Sequence, residues 1–469
     1  MFSVSTFHVS AQKWTFDWNA SSRIAGTTGE YMPFWARTGE DGILPLRSSG
    51  LLTAGADIVY NGQKGFFYEA GTNLVGALAL KSPLNTTPVY GMVDRLYASA
   101  GWKMLRVDVG LKPRRGDLDQ LSISGGDIML SGNARNLPGI NASSDWIYFE
   151  KGHWVGIKGN LAHYFLLDPR ERDQSQLHNK AVAIKLALGH NVDLIAGFDH
   201  YAWWAGESHA FTFNDYVKIF FAGRGDSGDS RSEQLNAFGN HLGREWARVV
   251  WRAKSFSMTF QYDKPFEDNS GMRLKNCPDG VWTFQMALAN RKAAVTDVTY
   301  ELITTTWQSG SLHDRPATEE EMANQDPNSP WYGKIVLGGR DDYFNHSPYY
   351  SGWTHYGRTL GLPLMVPRLA DNGASKGIIN NRVRGHHLAV AGVIAQKVPY
   401  RFKSTYTENY GTYFMPFDTM CWQLSLAFEA DKSFRDMTLS LGVYGDIGQL
   451  YQNGAGLTLK LAYHGQRKW

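Results

Sequence analysis

Cysteine is nearly missing from this chain. Its 469 residues hold two, Cys277 and Cys421, and no Cys-x-x-Cys pair. That excludes a disulfide framework and a zinc knuckle, and leaves the two residues either bridged or free. Charge is also sparse. Lys, Arg, Asp and Glu make up 19% of the residues, below the roughly 25% of an average globular protein. The net charge of +3 is too balanced to point to nucleic acid. No apolar run approaches the ~20 residues of a transmembrane helix. The chain is therefore soluble or crosses a membrane as strands. A Walker motif and a dinucleotide fingerprint are both missing, and nothing in the sequence calls for a cofactor or a metal.

Aromatic residues and glycine are plentiful instead. Phe, Trp and Tyr account for 13% of the chain, and there are 49 glycines. Membrane β-barrels use both, the rings in interfacial girdles and glycine in tight turns and crowded lumens.

The strand signal recurs along the chain. In "CWQLSLAFEA", Trp422, Leu424, Leu426 and Phe428 alternate with Gln423, Ser425, Ala427 and Glu429. That is period two, not the helical period. "LRVDVGLK" sets Leu105, Val107, Val109 and Leu111 against Arg106, Asp108, Gly110 and Lys112. "FSMTFQY" from Phe256, "YRFKSTYT" from Tyr400 and "MTLSLGVYGD" from Met437 repeat the pattern. The polar faces carry charge and tolerate water but not lipid. A soluble sandwich with this many strands needs several repeating domains, and no such repeat is present. One closed sheet removes every edge. At about 10 residues per strand plus loops, the length suits ~16 to 18 strands. Trp422 to Phe428 then face lipid, and Gln423 to Glu429 the lumen. The last segment, "GLTLKLAYHGQRKW", alternates and ends on Trp469, as closing strands of barrels do.

The fold expected is thus all-β: a transmembrane antiparallel β-barrel with loop and helical inserts plugging the lumen. Residues 1–11 read as the remnant of a signal peptide, with Val9-Ser10-Ala11 as the small-residue cleavage spacing. Residues 12–469 form one outer-membrane barrel domain. Two stretches read as helical inserts, residues 230–250 with Leu235, Phe238 and Leu242 at helical spacing, and the acidic stretch at 315–326.

Chemistry for an enzyme is thin. "GASKG", Gly373 to Gly377, fits G-x-S-x-G but lacks the strand-turn-helix setting that exposes the serine. His386 and His387 are adjacent, so on a strand they point to opposite faces. "GGRDDYFNH" offers Asp341, Asp342 and Asn345, without the ligand spacing of a calcium loop, and reads as a hydrogen-bonded turn. Aromatic and polar residues do cluster. Trp203 and Trp204 form one group; Asp342, Asn345, Tyr349, Tyr350, Trp353 and Arg358 form another. Rings stack on sugar faces, and Asp, Asn and Arg bond hydroxyls or carboxylates. These eight are the candidate polysaccharide-binding residues.

The same residues carry a family resemblance. In order along the chain stand "MPFWARTGEDG", "LSGNARNLPGI", "GIKGNLAHYFLLD", "GFDHYAWWAG", "YFNHSPYYSGWTHYGRTLGLPL", "NNRVRGHHL" and "GDIGQLYQNGAGL". Ser131 to Ala134 and Gly352 to Leu364 are the most specific. Together these stretches resemble the Wzi-type capsule-assembly outer-membrane proteins. The resemblance implies a plugged outer-membrane barrel of about 18 strands in a Gram-negative envelope. It also implies a surface that holds capsular or exopolysaccharide without catalysis. Outer-membrane lipid is then an obligatory partner, and other outer-membrane or periplasmic proteins are further ones. Two other readings stay open: a scaffold or accessory subunit of a larger outer-membrane complex, and a substrate-selective porin.

Overall fold

The computed structural model describes residues 13–469, apart from 115, 119–120, 150–151, 207–211, 227–232, 234–236, 313–314, 325–334 and 337–339. The signal-peptide reading of residues 1–11 lies outside the described residues.

Alternating sequence becomes one closed wall. Its first six strands are β1 (Lys13–Thr27), β2 (Ser49–Asn61), β3 (Phe66–Ala79), β4 (Val89–Trp102), β5 (Leu105–Leu111) and β6 (Pro138–Ser144). Next come β7 (Val155–Phe165), β8 (Gln176–Leu188), β9 (Val192–Trp204), β10 (Asn240–Arg252), β11 (Phe256–Phe266) and β12 (Gly280–Leu288). The last six are β13 (Asp297–Thr304), β14 (Val383–Ile394), β15 (Val398–Gly411), β16 (Pro416–Phe434), β17 (Met437–Gly448) and β18 (Gly454–Lys468). A two-residue piece, Ile147–Tyr148, extends β6 against β7, so the 19-membered sheet is an 18-stranded wall. Every neighbouring pair is antiparallel, and β1 pairs with β18 from Thr15↔Lys468 to Thr27↔Gly456. That pairing leaves the sheet without an edge, as a bilayer requires.

The two faces sort as the alternation predicts. Leu105, Val107, Val109, Phe260, Leu439, Leu441, Leu459 and Leu461 are exposed on the outer face. Gln261, Thr283, Glu301, His387, Gln423 and Ser425 are buried on the inner face. Polar side chains inside and exposed Leu, Val and Phe outside are the reverse of a soluble protein, and suit lipid contact. His386 is exposed and His387 buried, on opposite faces as expected. Cys277 and Cys421 are both free.

The connections are lopsided. At one end the strands join through tight turns such as 62–65, 103–104 and 395–397; at the other, long segments span 28–48, 112–137, 205–239 and 305–382. Three of these long segments enter the lumen. Their apolar residues meet the inner wall near the long-loop end. Ile123, Ile128, Met129, Phe344, Trp353, Leu360 and Leu362 pack with Leu51, Val75, Leu177, Tyr201, Leu242, Val281, Ile303 and Val383.

That is a plug, but not the one read from the sequence. Residues 240–250 are wall strand, and Leu242 faces the plug instead of belonging to a helix. In the stretch at 230–239, residues 230–232 and 234–236, Leu235 among them, lie outside the described residues, and Glu233 between them is helical. A lumen-facing strand also presents apolar residues at intervals, and those mimic helical spacing. The acidic stretch does give one helical turn, Glu319–Ala323, capped by Thr318 and Glu321, but it is exposed.

Candidate functional site

The plug is tied to the wall by polar residues that strands aim inward. Glu301 of β13 accepts from Ser122 Oγ at 2.6 Å, the Ile123 amide at 2.7 Å and Thr283 Oγ1 at 3.0 Å. Asp263 of β11 accepts from the Ile128 amide at 2.9 Å and from Arg244 Nη1 at 3.0 Å. His387 Nε2 donates to the Leu121 carbonyl at 2.7 Å. Trp35 Nε1 donates to Thr405 Oγ1 at 3.1 Å, and that hydroxyl lies 2.8 Å from His387 Nδ1. Asp446 of β17 takes the Phe34 amide at 2.8 Å. Buried polar groups left unpaired are costly, so these bonds fix the plug in one position.

The two most specific strings in the sequence turn out to be bonded to each other. The Ser131 amide donates to the Leu360 carbonyl at 2.9 Å and its hydroxyl to Gly361 at 2.6 Å. Asn133 Nδ2 reaches the Thr359 carbonyl at 3.1 Å, and Trp353 Nε1 the Met129 carbonyl at 2.7 Å. Gly352 sits at φ +68°, where a Cβ would meet the Phe344 carbonyl oxygen at 2.8 Å. Glycine is needed there for both reasons.

This geometry decides what each candidate sugar contact can reach. Trp203, Tyr349 and Trp353 are at most 2% exposed. They pack in one aromatic cluster, with Arg170 4.7 Å above the Trp203 ring. Their faces are covered by protein. Arg358 is buried too. It donates to the Arg37 carbonyl at 2.9 Å and the Leu44 carbonyl at 2.7 Å. Burial, with Arg37 and Arg135 nearby, pulls its pKa down to about 9. Asp342 accepts from Asn381 at 2.6 Å and Asn345 at 3.2 Å. Asn345 exchanges bonds of 2.9 and 2.7 Å with Ile378. Those two build the hydrogen-bonded turn, as read. Tyr350 is the candidate left in solvent, 45% exposed, its hydroxyl accepting from Arg368 at 3.1 Å.

Trp204 is buried for a different reason. It lies on the outward face of β9, beneath an outer helix, α1 (Phe213–Phe221). That helix packs on the barrel wall through Tyr216 and Ile219. The sequence reading missed this helix. Its signal was Thr212 with Asp215, which form a capping box just ahead of an apolar run. Also missed were Asp263, Glu301, His387 and Asp446. Each is an ionisable residue on the inward side of an alternating strand.

Beside Tyr350 the long-loop end is indented. A cavity of about 550 Å³ is lined by Arg170, Glu171, Asp173, Asp371, Asn372 and Lys376. Lys376 bridges to Glu171 at 3.3 Å and sits 5.9 Å from the Tyr350 ring. Arg170 is held by Asp168 at 2.5 Å and donates to the Thr354 carbonyl, while its Nη1 is buried without a hydrogen-bond partner among the described residues. Ser375 of the G-x-S-x-G match opens a short strand, Ser375–Asn380, and its Oγ is buried without a hydrogen-bond partner among the described residues.

A second cavity of about 360 Å³ lies in the lumen below the plug, lined by Arg23, Glu40, Arg401, Lys403, Glu429 and Lys460 among others. Arg23 pairs with Glu40 at 3.0 Å; Arg401 pairs with Glu429 at 3.0 Å and Asp431 at 3.6 Å.

No family model matches the chain, and no curated protein matches it by sequence. Solved barrels do match in structure. One is Wzi of Escherichia coli, described as a carbohydrate-binding β-barrel involved in group 1 capsule assembly. It aligns with a TM-score of 0.55 at 10% identity, over 95% of this chain and 83% of that one. OccAB4 of Acinetobacter baumannii aligns at 0.46 and 10% identity, over 98% and 99%. OprD of Pseudomonas aeruginosa, an outer membrane protein, aligns at 0.44 and 9%, over 97% and 94%. At these identities the likeness is one of fold: an outer-membrane-type β-barrel.

Proposed function

We propose that this chain is a stoppered, non-enzymatic barrel of a Gram-negative outer membrane that holds capsular or exopolysaccharide at its long-loop end. The observation that carries the reading is the plug. Long segments that would frame a pore are folded into the upper lumen and hydrogen-bonded to its wall. Function then moves from the lumen to the rim. There Tyr350 offers an open ring, with Arg368, Lys376 and Asn372 beside it. Trp353, Arg358, Trp203 and Tyr349 act beneath this surface as its support. Fold likeness to a carbohydrate-binding barrel is in keeping with this role. One ring contact is weak, but a long polymer meeting repeated copies of the protein gains through effective concentration.

The test is retention of polysaccharide by cells carrying Tyr350→Ala with Lys376→Gln, set against Trp353→Ala. The rim variant is expected to lose polymer at unchanged barrel yield, and the support variant to lose barrel yield first. Full retention by a well-folded rim variant would end the glycan assignment. The charged cavity below the plug favours one other reading, a substrate-selective porin. Large, steady conductance of the intact chain in planar bilayers would establish it. A stoichiometric protein partner from native membranes, with capsule unaffected by deletion, would establish the scaffold role instead.

A further inference from the structure

The turn end of the barrel is ringed by cations. Six of its connections each present one: Lys64, Lys103, Lys254, Lys292, Lys397 and Arg435, all exposed, with Asp436 beside Arg435. None of them makes an ion pair among the described residues; Lys103 lies over the Trp102 ring at 4.5 Å. The exposed Arg467 and Lys468 add to the ring where β18 closes on β1. The long-loop end is mixed: Arg170 pairs with Asp168, Arg47 with Glu30 and Lys376 with Glu171, while Lys81, Arg273, Lys275 and Arg368 are exposed and make no ion pair among the described residues.

Just inside the ring runs a belt of outward aromatic residues. Trp14 meets Tyr60 at 4.7 Å, Trp251 meets Phe256 at 5.3 Å, and Phe66 meets Trp102 at 6.2 Å. Such rings settle at the level of lipid headgroups. The short connections hold the cations within a few residues of that belt, at headgroup depth.

We propose that this ring binds the phosphates of anionic phospholipid in the leaflet at the turn end, and that the barrel selects such lipid over zwitterionic lipid. Lysine at a membrane surface is attracted to net-negative headgroups and offers three donors and no acceptor. The distribution of charge identifies the occupant. An acidic protein partner would need cations gathered on one flank. Here they follow the perimeter through six connections, as the lipid annulus does. The inference is independent of the polysaccharide reading, since it holds equally for a plugged barrel and for a porin.

Brominated lipids quench nearby tryptophans, and Trp14, Trp102 and Trp251 stand at the right depth to report. The full chain is reconstituted in phosphatidylcholine bilayers, and quenching by brominated phosphatidylglycerol is compared with quenching by brominated phosphatidylcholine. The anionic lipid is expected to associate several-fold more strongly at low salt. Its advantage should shrink toward unity as salt shortens the screening length. A variant with Lys64, Lys103, Lys254, Lys292, Lys397 and Arg435 all replaced by Gln should show little preference while keeping the heat-modifiable mobility of a folded barrel. If that variant does not fold, the salt titration of the unaltered chain decides alone. Equal association of the two lipids overturns the proposal, as does a salt-independent preference. A folded sixfold variant with undiminished selectivity, or a stoichiometric acidic protein bound at the turn end without lipid preference, overturns it too.

Discussion

The upper and lower lumen share one wall and treat charge in opposite ways. Near the long-loop end, inward polar residues are dry and hydrogen-bonded to the plug. Glu301 is 0% exposed and Asp263 1%, each bonded to the plug. Near the turn end, the side chains of Arg401 and Asp431 keep 33% and 31% of their surface in solvent and pair with each other. Polar residues serve shape in the upper lumen and hydration in the lower one. Above, a carboxylate replaces a missing wall–plug backbone ladder. Below, paired charges line a wet cavity: Arg23 ties the wall to Glu40 of an inserted segment, and Arg401 pairs with Glu429 and Asp431 along the wall itself.

Removing the plug should have the largest effect. Replacing Asp117 to Ala134 with a short Gly/Ser link should join the lower cavity to the long-loop end. Single-channel recording is expected to show large, steady steps from this variant and none from the intact chain. If both conduct alike, the upper lumen is not closed and the contrast fails.

Next come single side chains of the upper lumen. Trp353→Ala removes a fully buried ring and its bond to Met129; about 3–5 kcal/mol of stability should go. Arg244→Met leaves Asp263 buried without its 3.0 Å ion pair, and a similar loss of about 3–5 kcal/mol is expected for a broken buried pair. Both are read from the urea midpoint of the folded band on unheated gels. A loss under about 1 kcal/mol, the size of a surface effect, would mark the plug as loosely seated.

At the rim, stability should depend on pH. Burial, with Asp268 nearby, raises the Asp341 carboxyl from 3.8 to about 8. The folded state then holds a proton that the unfolded chain has released. Stability contributed by this group is present below the ordinary carboxylate range and is lost as pH rises toward about 8. Asp341→Asn, which mimics the protonated form, should flatten that decline between pH 4 and 8. An unchanged slope would mean that other groups set it.

The wall was legible in the sequence because alternation is a local signal. Leu439 and Leu441 go outward and Gln423 and Ser425 inward whatever the neighbouring strand is. The plug was not. Its contacts join residues far apart, such as Ser131 with Leu360 or Phe34 with Asp446, and no local period encodes them. The strings most specific to the family resemblance, Ser131 to Ala134 and Gly352 to Leu364, were distinctive because many of their atoms are engaged. An indole with both faces packed and an arginine bonded to two carbonyls tolerate little change, and that constraint resembles a binding motif when read in one dimension. Tyr350 escaped because it sits at the edge of the string, next to the buried Tyr349.

The smallest effect belongs to the lower lumen. Arg401→Gln removes bonds to Glu429 at 3.0 Å and Asp431 at 3.6 Å. By geometry these resemble the Arg244 contacts of the upper lumen. Exposure separates them. Water screens Arg401, and its carboxylate partners keep solvent to turn to when it is gone. Such a pair contributes about 0–1 kcal/mol, and what it does contribute should fade further in high salt. A double-mutant cycle with Arg401→Gln and Glu429→Gln isolates the coupling from the loss of either side chain. The expected coupling is below about 1 kcal/mol and salt-sensitive. The matching cycle on Arg244 and Asp263 should give a larger, salt-insensitive value. A coupling at Arg401 as strong and as indifferent to salt as that at Arg244 would mean that the lower lumen is dry. The plug would then be one part of a continuous core and not a stopper over a wet chamber.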